Sequence, residues 1–160
     1  DAFEWIYEYK NLIVSKSFSK AYGLAGLRIG YGAGNPELIE MMNRVRQPFN
    51  VNHLAQVSAT ASLKDKDFIK ESRIDNNIGM KQLTDTFKSL DLEFIPSYGN
   101  FVSFKLEDEK TAMMYYQHLL NNGVIVRPIA NYDLPKFLRV SVGLEHENDT
   151  FIKYLSNCNI

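Results

Sequence analysis

The stretch that most constrains this chain is Ser15-Lys16-Ser17-Phe18-Ser19-Lys20-Ala21-Tyr22-Gly23-Leu24-Ala25-Gly26-Leu27-Arg28-Ile29-Gly30-Tyr31-Gly32. It follows an apolar run, Leu12-Ile13-Val14, that reads as a buried strand. Ser17 and Ser19 stand two apart, so on an extended chain they project from the same side, where both can donate to a phosphate. Lys20 comes next, where the strand gives way to a turn. Its amine attacks carbonyl carbons only when unprotonated, so a free pKa of about 10.4 has to fall through desolvation or nearby positive charge. Gly23 and Gly26 let the backbone turn or pass close to a ligand. Arg28, eight positions after Lys20, offers a planar fork for phosphate and adds positive charge. Any one of these residues alone is ordinary surface or turn chemistry. Together they predict a site for an anionic, electrophilic ligand. Gly-x-x-Gly is not the dinucleotide fingerprint, and no Gly-Lys-Ser/Thr marks a P-loop.

At 160 residues the chain is long enough for one domain or slightly more. With 45% hydrophobic and 23% charged residues it reads as globular. A net charge of −1 gives no reason to expect nucleic acid or an anionic membrane surface as partner. The single cysteine, Cys158, cannot close an internal disulfide and fits a reducing, cytoplasmic setting. No apolar run approaches the roughly 20 residues that cross a bilayer.

Periodicity and punctuation predict the elements. Asp1 to Tyr9 reads as a short helix, with Asp1 structural. Strands are expected at Leu12–Ser17 and Leu27–Gly32, with Arg28 near the start of the second. Gly34-Asn35-Pro36-Glu37 opens a helix whose stripe is Leu38, Ile39, Met42 and Val45. Pro48 breaks it, and His53 opens another helix running to about Leu63. Asp67 to Leu90 reads as one long helix, with Gly79 tolerated inside it at a cost of about 1 kcal/mol. Strands follow at 92–95, 101–106, 124–126 and 136–142, and helices at 111–122 and 145 to about 157. A domain boundary is placed at 64, dividing residues 1–64 from 65–160.

Arg139 lies within Phe137-Leu138-Arg139-Val140-Ser141-Val142. Leu138, Val140 and Val142 share one face there, and Phe137, Arg139 and Ser141 the other. An arginine in mid-strand is expensive to bury without an anion. A bound carboxylate and a structural glutamate both answer that need. Arg127, at the predicted end of its strand before Pro128, reads alone as a surface residue. Asn100 is accounted for by its turn.

Ser-x-Ser-Lys-Ala-x-Gly-Leu-Ala-Gly-x-Arg-x-Gly-Tyr resembles the cofactor-lysine segment of fold-type-I, pyridoxal-phosphate-dependent aminotransferases, most of all the histidinol-phosphate aminotransferase branch. The resemblance extends over most of the chain. It takes in Trp5 and Glu8-Tyr9 before the lysine strand and Pro48-Phe49-Asn50-Val51-Asn52 after it. It implies an α/β fold: the C-terminal part of the large domain, with a mixed, mostly parallel sheet and helices, followed by a small α+β domain. It implies pyridoxal 5'-phosphate as cofactor, Lys20 as its Schiff-base lysine, and Ser17, Ser19 and Arg28 as holders of its phosphate. It implies Arg139 for the substrate carboxylate and Arg127 for a substrate phosphate.

The implied reaction exchanges histidinol phosphate and 2-oxoglutarate for imidazole-acetol phosphate and glutamate, a step of histidine biosynthesis. Lys20 would move a proton between the substrate α-carbon and the cofactor C4′ carbon, as base and then as acid. Such enzymes are homodimers more than twice this length, so the chain is expected to be the C-terminal portion of one. A threonine-phosphate decarboxylase and a non-catalytic, aminotransferase-like regulatory module are the alternatives.

Overall fold

The computed structural model describes residues 2–158, so Asp1 lies outside them. The chain divides into two compact units, Asp1–Ser72 and Arg73–Ile160. Each is described by itself.

The first unit begins with a single 3-10 turn at Glu4–Tyr7 where a short helix was expected. Strands β1 (Ile13–Ser17) and β2 (Gly30–Gly34) follow. They pair antiparallel, with Ser17 opposite Gly30 and Ser15 opposite Gly32. Helix α1 (Pro36–Val45) starts where Asn35 Oδ1 accepts the Glu37 N–H at 3.0 Å, with Pro36 in its first turn. Helix α2 (His53–Ser62) is capped by Asn52, whose Oδ1 accepts the Ala55 N–H at 2.9 Å, and not by His53. The expected stripe on α1 is only partly covered, because Met42 and Val45 are exposed.

Helix α3 (Lys66–Ser89) runs across the division between the units. The second unit adds β3 (Phe94–Ile95), β4 (Phe101–Lys105), helix α4 (Glu109–Asn121), β5 (Arg127–Ile129), β6 (Leu134–Ser141) and helix α5 (Glu145–Ser156). Its four strands lie in the order β3-β4-β6-β5 and are antiparallel throughout. Val102 and Phe104 of β4 and Leu138 and Val140 of β6 turn to one face. There they meet Leu83 and Phe87 of α3, Ala112 and Leu119 of α4, and Phe151 and Leu155 of α5. Phe87 stacks on Phe104 at 4.9 Å between ring centroids, and both meet Phe151 edge-on. Alternation along the strands therefore leaves the other face of the sheet to Phe101, Ser103 and Arg139.

Three expectations need correcting. The sheet of the lysine segment was expected to be mostly parallel, yet among the described residues both sheets are antiparallel. The reason is the connection: residues 18–29 fold back as turns with one 3-10 turn (Ala25–Leu27) and hold no crossover helix to carry the chain to the start of a parallel strand. The strand expected at 124–126 lies at Arg127–Ile129. Pro128 does not end it because β5 is an edge strand, where a missing N–H costs no ladder bond. Arg28 was expected near the start of a strand but precedes β2, in the left-handed region at φ +52°.

Candidate active site

In the first unit the turn between β1 and β2 carries the candidate cofactor residues. Phe18 anchors it. Its ring is 97% buried, 4.8 Å from Tyr22 and 5.8 Å from Tyr31 between centroids. Its backbone N–H donates to Ile29 O at 3.2 Å, and its carbonyl accepts Leu24 N–H at 3.0 Å. With Phe18 held inward, its polar neighbours are left outside: Ser17 is exposed and Ser19 half-buried.

A short chain of hydrogen bonds ties these residues together. Ser17 Oγ accepts the Ser19 N–H at 3.0 Å. Ser19 Oγ accepts from Arg28 Nη1 at 3.5 Å, and the same nitrogen donates to Ala25 O at 2.8 Å. The left-handed backbone at Arg28 is uncommon for a residue with a side chain and stores strain of the order of 1 kcal/mol. It reverses the chain into β2 and brings the guanidinium back over the turn.

Ser17, Ser19 and Arg28 line one cleft of about 470 Å³, together with Ser15, Lys16 and Gly30 among others. That volume lies within the range of small-molecule pockets. The register explains the serines and glycines. Ser15 and Ser17 face Gly32 and Gly30 across the hairpin, so one face of it is nearly free of side-chain bulk. Gly30 is demanded by close approach, since a Cβ there would sit 2.8 Å from Lys16 O. Lys20 is exposed on the turn beyond β1, its carbonyl accepting Gly23 N–H at 2.8 Å, and it is not among the residues that line the cleft.

In the second unit the ladder brings Arg127 and Arg139 directly opposite each other across β5 and β6. Arg139 is half-buried and Arg127 exposed. Among the described residues neither side chain forms an ion pair or a hydrogen bond. Like charges directly opposed in a sheet are unfavourable, so the pair suits a bound anion. Sequence reasoning named both arginines but did not pair them. Asn100 keeps its structural reading, its carbonyl accepting Val142 N–H at 2.9 Å.

Sequence reasoning missed Ser15, Lys16 and Tyr31 of the cleft. The period-two alternation back from Ser17 would have found Ser15. The other two depend on the hairpin register. The described residues hold no cluster able to ligate a metal and no helix long and apolar enough to cross a membrane.

Two hydroxyls and a guanidinium on one cleft can bind an anion, and the comparisons with known proteins give the class. The model of the family "Aminotransferase class I and II" matches residues 3–155, and the chain belongs to that family. It is 53% identical over 155 residues to the histidinol-phosphate aminotransferase of Methylobacillus flagellatus, which covers 97% of this chain and 41% of that protein. The chain thus spans about two fifths of the length of the curated relatives it matches.

Among solved structures, the histidinol-phosphate aminotransferase of Sinorhizobium meliloti in complex with pyridoxal-5'-phosphate superposes with a TM-score of 0.85 at 28% identity, covering 93% of this chain and 41% of that one. The L-threonine-O-3-phosphate decarboxylase of Porphyromonas gingivalis gives 0.79 at 25% identity, covering 95% and 48%. The mixed α/β fold is that of the aminotransferases.

Proposed function

We propose that the chain is part of a pyridoxal-phosphate-dependent histidinol-phosphate aminotransferase acting in histidine biosynthesis. The observation that carries this reading is the linked set Ser17–Ser19–Arg28 on a cleft, with Lys20 on the same turn. The 53% identity to a histidinol-phosphate aminotransferase supports the choice of substrate over that of the decarboxylase, to which the likeness is weaker.

The donor set fits a phosphorylated cofactor. Two hydroxyls and a guanidinium are what a phosphate dianion needs, and the glycine face of the hairpin leaves room for an aromatic ring. Bound pyridoxal 5'-phosphate would supply the electron sink for the reaction. Ser17, Ser19 and Arg28 hold its phosphate in this reading. Lys20 would hold it through Nζ and, once freed, would take the proton from the substrate α-carbon as a base and deliver it to the cofactor C4′ carbon as an acid.

Arg127 and Arg139 hold the substrate's anion. Histidinol phosphate brings a phosphate ester and no carboxylate, whereas glutamate and 2-oxoglutarate bring carboxylates. An opposed arginine pair can serve both in turn, with Arg127 favouring the phosphate and Arg139 the carboxylate. The complete enzyme is proposed to be a cytoplasmic homodimer.

Borohydride trapping tests the reading. Full-length protein is mixed with pyridoxal phosphate, reduced, digested and mapped by mass. The expected result is a single label on Lys20. Labels scattered over other lysines, with Lys20 unmodified, would overturn the assignment. Release of carbon dioxide from threonine phosphate without any need for 2-oxoglutarate would move the protein to the decarboxylases.

A further inference from the structure

Arg139 has no acidic partner, so something else must hold its side chain. Its Cζ lies 4.7 Å from the centroid of the Phe101 ring. Phe101 pairs with Ser141 and Ser103 with Arg139, so Phe101 sits one diagonal step from Arg139 on the same face of the sheet. Its ring is 38% exposed, on the face opposite to the core residues Val102 and Phe104. Core packing therefore does not explain a large apolar side chain there.

All five N–H donors of a guanidinium point outward in its plane. A ring against its face limits the rotamers of the arginine yet occupies none of those donors. A carboxylate partner would have occupied two of them and competed with an anionic substrate. Arg127 carries a looser version of the same arrangement, 6.0 Å from the Tyr132 ring.

We propose that Phe101 is a positioning residue that presents the Arg139 fork, with its donors free, to the substrate's anion. This rests on the reading of Arg139 as an anion-binding residue. It assigns substrate affinity to a side chain that acts through Arg139.

The test uses the full-length enzyme with pyridoxal phosphate bound and three variants, Phe101→Leu, Phe101→Tyr and Arg139→Ala. Michaelis constants for histidinol phosphate and glutamate are measured, with kcat, the cofactor absorbance spectrum and the melting temperature. Phe101→Leu is expected to raise the Michaelis constant for glutamate about fivefold, the scale of a partly desolvated cation–π contact, and that for histidinol phosphate less, with kcat within about twofold and the spectrum unchanged. Phe101→Tyr keeps the ring and is expected to stay within about twofold of the parent in every constant.

If Arg139→Ala raises the constants steeply and Phe101→Leu does not, the inference fails and the reading of Arg139 stands. If Arg139→Ala leaves them unchanged, both fail. Equal losses in the Leu and Tyr variants, or a fall in kcat and melting temperature without a change in Michaelis constant, would make Phe101 a packing residue and overturn the inference.

Discussion

The two units hold their candidate residues by opposite means. In the first, buried hydrophobic side chains are few: Phe18, Ala55 and Ala59, while Val45 is 84% and Phe49 97% exposed. The proposed phosphate-binding set there is fixed by hydrogen bonds between residues two to nine positions apart. In the second, a continuous core lies under the sheet, and Arg127 meets Arg139 only because β5 and β6 pair. The first arrangement is a local turn that a short sequence can specify. The second is a product of tertiary structure and depends on the whole sheet. Perturbations of the turn should therefore act on chemistry, and perturbations of the core should act on stability.

The largest expected effect breaks the turn. Lys20→Ala in the full-length enzyme is expected to lower kcat by at least about a thousandfold, since both the covalent attachment and the proton carrier go. Ser19→Ala should instead weaken cofactor retention, leaving the residual bound fraction active. Measured kcat per bound cofactor separates the two. Equal losses in that quantity would end the division of labour between lysine and serine.

Next comes the contrast in stability. Phe104, fully buried against Phe87 and Phe151, is expected to cost about 3–5 kcal/mol when changed to Ala. Phe49→Ala in this 160-residue chain should stay within about 0.5 kcal/mol. Urea unfolding of the two variants checks this, and comparable losses would mean that the first unit has a core of its own.

A third prediction concerns the close approach of α3 to the end of β6. A Cβ at Gly79 would stand 2.5 Å from Val142 Cγ1 and 2.8 Å from Asn148 Nδ2. Asn148 cannot easily give way. It is almost fully buried, its Oδ1 accepts Gly143 N–H at 3.0 Å, and its Nδ2 donates to Gly143 O at 3.1 Å and Gln82 Oε1 at 3.0 Å. Gly79→Ala, which on an exposed helix would stabilise, is therefore expected to destabilise by about 1–3 kcal/mol. A stabilised variant in urea titration would show that the helix can shift.

These regions also differed in how far the sequence revealed them. Ser17, Ser19, Lys20 and Arg28 lie within one short stretch, and the turn that joins them could be read from residue types alone. The exact backbone of Arg28 could not, because a left-handed arginine is a consequence of closing the hairpin. Helices α1 to α5 were legible from apolar spacing and from punctuation at Pro36, Asn122 and Gly123. The antiparallel order was not, since pairing partners leave no mark in a single strand. For the same reason the opposition of Arg127 and Arg139, and the ring beneath Arg139, emerged only from the register. Gly79 was read as a tolerated cost in a helix, whereas it is the space that Val142 and Asn148 fill.

The smallest expected effect probes the second unit at its surface. Asp108 caps α4, its Oδ1 accepting the Thr111 N–H at 2.7 Å. That backbone bond, then the Thr111 side chain and the charges of Lys136 and Lys110, hold its carboxyl below the ordinary value of 3.8. A carboxyl with a depressed pKa in the folded state binds its proton more weakly there than in the unfolded chain. Its stabilisation is thus fully present above about pH 4 and is lost as the pH falls through the folded value. Asp108→Asn keeps a cap acceptor but cannot titrate. The urea midpoint of the parent should fall more steeply below about pH 4 than that of the variant, with the two closest at the acid end. Parallel curves would mean that the cap's charge contributes nothing beyond the hydrogen bond that Asn keeps.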